Sequence, residues 1–179
     1  MNGSRLLALT VLVAPMFAGC GGYGVSSSDP LGTAAKLEAR LSGSMGMVKK
    51  PVADMSRRPE LAGCASATDY HDAGAEEKSG DFQLFITLGL DAGGKVKTIF
   101  AVNLKPNDQD PMGHVGSNKI RGFCTDLWKA YGGGEAKFTF VSEGRSNQYD
   151  QAKFSSGKVD GDWRLPNGDP VETVTFTAQ

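Results

Sequence analysis

The sequence predicts an α+β domain, an antiparallel sheet packed by one amphipathic helix with another helix ahead of it. Three observations carry this expectation. Residues 81–104, DFQLFITLGLDAGGKVKTIFAVNL, alternate in polarity on both sides of Ala92-Gly93-Gly94, the pattern of a hairpin. Residues 117–131 set Ile120, Phe123, Cys124, Leu127, Trp128 and Tyr131 on one helical stripe. Four more strand-like runs follow, separated by turn residues. Strands that neighbour one another and helices set apart from them make α+β rather than an alternating α/β chain.

In chain order, Asp29-Pro30 reads as an N-cap and a proline at the first helical position, where a missing N–H costs nothing. Leu31, Ala34, Leu37 and Leu41 then recur at helical spacing, and Gly43 offers a left-handed stop, giving a helix over 30–42. Residues 44–80 hold no sustained period and are expected to be irregular. Their first half is basic (Lys49, Lys50, Arg57, Arg58) and their second acidic (Asp69, Asp72, Glu76, Glu77, Asp81). The basic half reads as a solvated face, with contact to anionic headgroups as the alternative.

In the hairpin over 82–104, opposite residues must share a face. Pairing Leu90 with Val96, Leu88 with Thr98 and Ile86 with Phe100 satisfies this. It sets Asp91 against Lys95 and leaves a three-residue loop with glycine at the left-handed position. In the 117–131 helix, Ser117 caps the start and Gly132 the end. Gly122 inside it costs up to about 1 kcal/mol relative to alanine, so it is read as a point of close packing. The strand candidates Ala136–Ser142, Tyr149–Ser155, Val159–Leu165 and Val171–Ala178 complete the sheet. Pro166 and Pro170 flank the last turn and place a sheet edge there.

The start of the chain is of another kind. Arg5 precedes thirteen residues, Leu6 to Ala18, broken only by Thr10 and Pro15. That run is shorter than the roughly 20 apolar residues a membrane-spanning helix needs, and it fits a secretory leader. Phe17-Ala18-Gly19-Cys20 resembles the lipobox of bacterial lipoproteins, with Phe17 where that family usually carries leucine. The resemblance covers about the first 22 residues. It implies diacylglyceryl transfer to Cys20, cleavage before it, and attachment to the membrane through the lipid. Gly21 after the cysteine implies the outer membrane, facing the periplasm, in a Gram-negative cell. An ordinary secretory signal with an incidental Cys20 is the alternative. Residues 1–19 are then a leader, 20–28 a tether reaching about 15 Å, and 29–179 a single domain.

With the leader removed the balance is 18 basic residues (19 less Arg5) against 20 acidic, a net of −2. No strongly basic face for a nucleic-acid partner follows from that. Once Cys20 is assigned to lipid, Cys64 and Cys124 remain as a pair in an oxidising compartment. A Cys64–Cys124 disulfide is expected; two buried free thiols are the alternative.

The chemistry of catalysis is sparse. No GxSxG, HExxH or phosphate-cradling glycine loop occurs, and no metal or cofactor motif is found. His71, in Asp69-Tyr70-His71-Asp72, reads as part of a solvated acidic loop. Asp160, Asp162 and Asp169 read as polar turn residues. The connection KPNDQDPMGHVG, residues 105–116, is long for its place, and connections of that length are uncommon unless functional or disordered. Its Asn107, Asp108, Asp110 and His114 are the candidate binding residues; the spacing is not that of an EF-hand. The expectation is a lipid-anchored envelope protein that binds or assembles with an envelope partner through the 105–116 loop, the 44–80 segment or the last sheet edge. The rivals are an inhibitor or immunity-type lipoprotein that blocks an enzyme with loop 105–116, and a periplasmic enzyme. Over residues 82–142 the order hairpin, helix, strand resembles the carboxyl domains of TonB and TolA, with no residue carried over.

Overall fold

The structure is a computed structural model and describes residues 22–105, 113–144 and 147–179. Those residues form an antiparallel sheet of eight strands with three α-helices. The α+β class holds, weighted toward strand. None of the described helices is long and apolar enough to cross a membrane.

The chain enters through α1 (Ala34–Glu38), which continues into a π-helical turn over Ala39–Ser44. Asp29 and Pro30 lie in a turn before this helix, where the Asp29 carbonyl accepts from the amides of Ser26 and Gly32, and Thr33 takes the N-cap position. Gly43 sits within the π turn; the left-handed glycine comes later, at Gly46. The supposedly irregular 44–80 segment contains β1 (Val48–Pro51), a 3-10 turn at Pro59–Leu61, β2 (Ser66–His71) and α2 (Ala73–Ser79). These strands escape a periodicity search because β1 is exposed along its length and β2 carries Asp69 and His71 in its ladder.

The hairpin is formed by β3 (Phe85–Leu90) and β4 (Val96–Leu104). Its loop is as expected: the Asp91 amide donates to the Lys95 carbonyl at 2.9 Å, and Gly94 is left-handed. The register is right only beside the turn. Leu90 pairs with Val96, but a bulge between Gly89 and Leu90 shifts the rest by one, so Leu88 meets Ile99 and Ile86 meets Ala101. The extra residue turns Ile99, Ala101 and Asn103, not Phe100 and Val102, toward the face that carries Ile86 and Leu88.

After α3 (Asn118–Ala130) the chain crosses to the far edge and returns through β5 (Thr139–Ser142), β6 (Gln148–Ser155), β7 (Val159–Pro166) and β8 (Val171–Ala178). The strand order is β1-β2-β3-β4-β8-β7-β6-β5. Two four-stranded meanders, each preceded by a helix, thus join along β4 and β8, with Ala101 opposite Val174. The edge expected at the last turn is corrected by this order, because β8 lies at the centre. Pro166 ends β7 and Pro170 precedes β8, so neither proline removes a donor from within the β8 ladder.

One face of the sheet meets α3. Trp128 sets its ring edge-on to Phe154, Trp163 and Phe176 at centroid distances of 4.7, 5.7 and 6.1 Å. Tyr131 meets Phe176 and donates its hydroxyl to the Leu31 carbonyl, linking α3 to the first helix. Leu37, Leu41, Ile86, Ile99, Phe123 and Leu127 belong to the same core. Gly122 faces open space on the exposed side of α3, so close packing does not explain it.

Candidate functional site

Two features of the sequence lead to the end of the sheet where β4 runs into residues 105–117. One is the length of that connection; the other is a charge where none should be. In β8, Glu172, Val174 and Phe176 point to one side, and the last two are core. A glutamate in that series needs a buried partner. Its side chain is 3% exposed, and Arg121 of α3 reaches it, with Nη2 2.8 Å from Oε1.

Glu172 belongs to a larger network. Its Oε1 also accepts from Asn103 Nδ2 at 3.0 Å, and its Oε2 from Trp163 Nε1 at 3.3 Å. Arg121 donates a further bond to the Leu104 carbonyl. Asn103 and Ser117, which flank the connection, bond each other twice: Asn103 Nδ2 donates to the Ser117 carbonyl at 3.1 Å, and the Ser117 amide donates to Asn103 Oδ1 at 2.7 Å. The Ser117 hydroxyl accepts from the Ile120 amide as the expected N-cap and donates to the Asp72 carboxylate. Lys119 Nζ stands 3.5 Å from the other Asp72 oxygen. Asp72, Asn103, Ser117 and Glu172 are all buried. Beyond the network, Ser79 Oγ donates to the Val115 carbonyl at 2.6 Å, and the Lys105 amide to that of Pro170 at 2.7 Å.

Chemically this is a clamp. The Ser117 hydroxyl is committed to an amide and a carboxylate, and the buried ion pair is saturated with hydrogen bonds, the condition under which such pairs are tolerated. Both ends of the connection are fixed against α2, α3, β4 and β8.

Of the candidate binding residues, Asn107, Asp108 and Asp110 lie outside the described residues, as does Cys20. His114 is described, with its ring edge-on to Phe82 at 4.7 Å. His71 is not in a solvated loop. It is a buried residue of β2 with Nδ1 2.6 Å from Glu76 Oε1 and its ring against Phe85. Asp160 and Asp162 lie in β7, where Asp162 accepts from Gln151 and Arg164; Asp169 bonds the Val171 amide as a turn residue does. No cluster of three or more His, Cys, Asp or Glu with metal-ligand geometry occurs among the described residues.

The expected Cys64–Cys124 bridge is not formed; both thiols are free. Cys64 lies over Gly89, so near that a Cβ there would fall 2.6 Å from its sulfur. Gly89 points away from the face bearing Leu88 and Ile86 by strand alternation. Cys124 is buried on α3, on that other face. The sheet itself separates the two sulfurs. Burial pushes the Cys124 thiol well above its ordinary range, and the Glu172 carboxylate adds to the rise. Alkylation of the folded protein at neutral pH is therefore expected to modify Cys64 and spare Cys124, since the thiolate is the nucleophile. Peptide mass spectrometry reads the pattern; equal labelling of both, or a disulfide-linked peptide, contradicts it.

The face turned away from α3 carries a second feature. Arg58 stands over Phe85 and Phe100 and donates to Thr87 Oγ1 at 2.7 Å, while Asp69 and Glu60 balance its charge. Further along that face an open groove of about 530 Å³ is lined by Lys153, Ser155, Asp160, Asp162, Thr175 and Thr177.

No family model matches the sequence, and no curated protein and no solved structure matches the chain.

Proposed function

We propose that this chain is a lipid-anchored envelope protein, held to the outer membrane through Cys20, whose domain binds or assembles with an envelope protein through the 105–116 connection. The observation that carries the reading is the doubly bonded Asn103–Ser117 pair inside a buried network. Burying this many polar groups costs free energy unless every partner is in place. Fixing both ends of a connection beforehand reduces the ordering cost of binding through it. The same clamp favours the inhibitor or immunity reading, in which the connection enters a partner enzyme's cleft. The lipid anchor rests on Phe17-Ala18-Gly19-Cys20.

The test has two arms. Cys20→Ser is expected to abolish incorporation of a labelled fatty acid and release the chain from membranes. Replacing residues 107–111 by a glycine-serine segment of equal length is expected to leave the melting temperature within about 3 °C while eliminating capture of the envelope partner. Unchanged labelling in the first arm overturns the anchor. Unchanged capture in the second overturns the role of the connection.

A further inference from the structure

We propose that β5 is a homodimer interface, through which two copies of the chain join their sheets edge to edge. The sheet has two outer strands, and they are treated differently. β1 carries Lys49, Lys50 and Pro51, the residues by which exposed edges are kept from pairing. β5 carries Phe140, 62% exposed, next to Phe138, 39% exposed. An uncovered edge of that composition is a template for another strand.

The edge is complementary to itself. Within the domain the Glu143 amide donates to the Asn147 carbonyl of the β6 side at 2.9 Å. By the alternation of an antiparallel ladder, Thr139 and Val141 also bond inward, and the amides and carbonyls of Phe140 and Ser142 face outward, with Phe138 continuing the series just ahead of the strand. For two copies to continue one sheet with the same face up, even-numbered residues must oppose even-numbered ones. A two-fold axis through Phe140 does this. It sets Phe138 against the second copy's Ser142 and satisfies every outward donor and acceptor of the three residues.

Charge selects this register over its neighbours. With Phe140 on the axis, Lys137 of each copy stands opposite Glu143 of the other. Shifting the axis to Thr139 sets Glu135 against Glu143, and shifting it to Val141 carries Phe138 beyond the paired segment. The Glu143 carboxylate is already held in place, accepting from Tyr149 Oη at 2.8 Å and Asn147 Nδ2 at 2.7 Å. A fixed surface carboxylate loses little further freedom when it meets a lysine.

Sedimentation equilibrium of the full chain in density-matched detergent tests the proposal. A dimer is expected. Lys137→Glu should weaken it about tenfold, because both symmetry-related pairs become repulsive. Adding Glu143→Lys to Lys137→Glu should return the dissociation constant to within about threefold of the unaltered protein. Phe140→Lys, which places like charges face to face on the axis, should give a monomer. At concentrations low enough that all three are monomeric, thermal unfolding of Lys137→Glu and Phe140→Lys should match the unaltered chain, both positions being exposed. A chain that stays monomeric at the highest concentration overturns the interface. So does a charge-reversed double variant no tighter than Lys137→Glu.

Discussion

Glu172→Ala is expected to lower the unfolding free energy by about 3–5 kcal/mol, the range for removing one partner of a buried ion pair. The substitution strands Arg121, and it leaves Asn103 Nδ2 and Trp163 Nε1 each short of an acceptor. Folded domains hold roughly 5–15 kcal/mol in all, so this one side chain carries a large share of the domain's stability. Glu172→Gln keeps an acceptor and should cost about 1–3 kcal/mol. Chemical denaturation with the slope held fixed measures both. A loss below about 1 kcal/mol for the alanine variant removes the network from the forces that hold the domain together.

The second large effect belongs to Trp128. Its ring is almost wholly buried and touches Phe154, Trp163 and Phe176, so it joins α3 to three different strands. Trp128→Ala should cost about 3–5 kcal/mol, the transfer term plus the cavity left behind. Trp128→Phe should cost far less than its volume suggests. The buried Nε1 has no hydrogen-bond partner among the described residues, and phenylalanine removes that unpaired donor along with the ring it belongs to. Urea titration of the two variants, with near-ultraviolet circular dichroism to follow the aromatic cluster, separates the contributions. Equal losses for alanine and phenylalanine would contradict the assignment.

The parts of the fold legible in the sequence are those in which local pattern and tertiary environment agree. The 117–131 helix is an example: its stripe is core, Ser117 is its cap, and Gly132 ends it in a left-handed conformation. The four last strands are another, because each is bounded by a turn glycine or proline. What alternation could not reveal was the bulge at Gly89. Both faces of β4 hold apolar residues, so a one-residue shift leaves the hydrophobic count nearly unchanged. Residues 44–80 hid two strands because β1 is an outer strand with an exposed, basic surface. The strand order was beyond reach for a different reason. Pairing of β4 with β8 joins residues from 67 positions apart, Leu104 with Val171, to 79 apart, Thr98 with Thr177, and no local spacing encodes it.

At the site the balance was similar. The 105–116 connection drew attention by length alone, whereas the residues that clamp it come from four separate elements. Asn103 is one polar residue near the end of a strand pattern, and Asp72 reads as part of an acidic loop. Glu172 was the one member that could have been found, as a carboxylate in line with Val174 and Phe176.

Placing β8 in the middle of the sheet has a consequence for how the molecule is built. The segments from β1 to β4 and from β5 to β7 pair locally, and no strand pairing joins them except through Val171–Ala178, which lies between β4 and β7. β8 is therefore the keystone of the ladder. A chain cut short by nine residues would possess every helix yet present two raw strand flanks where the finished protein has none, the condition that invites clumping.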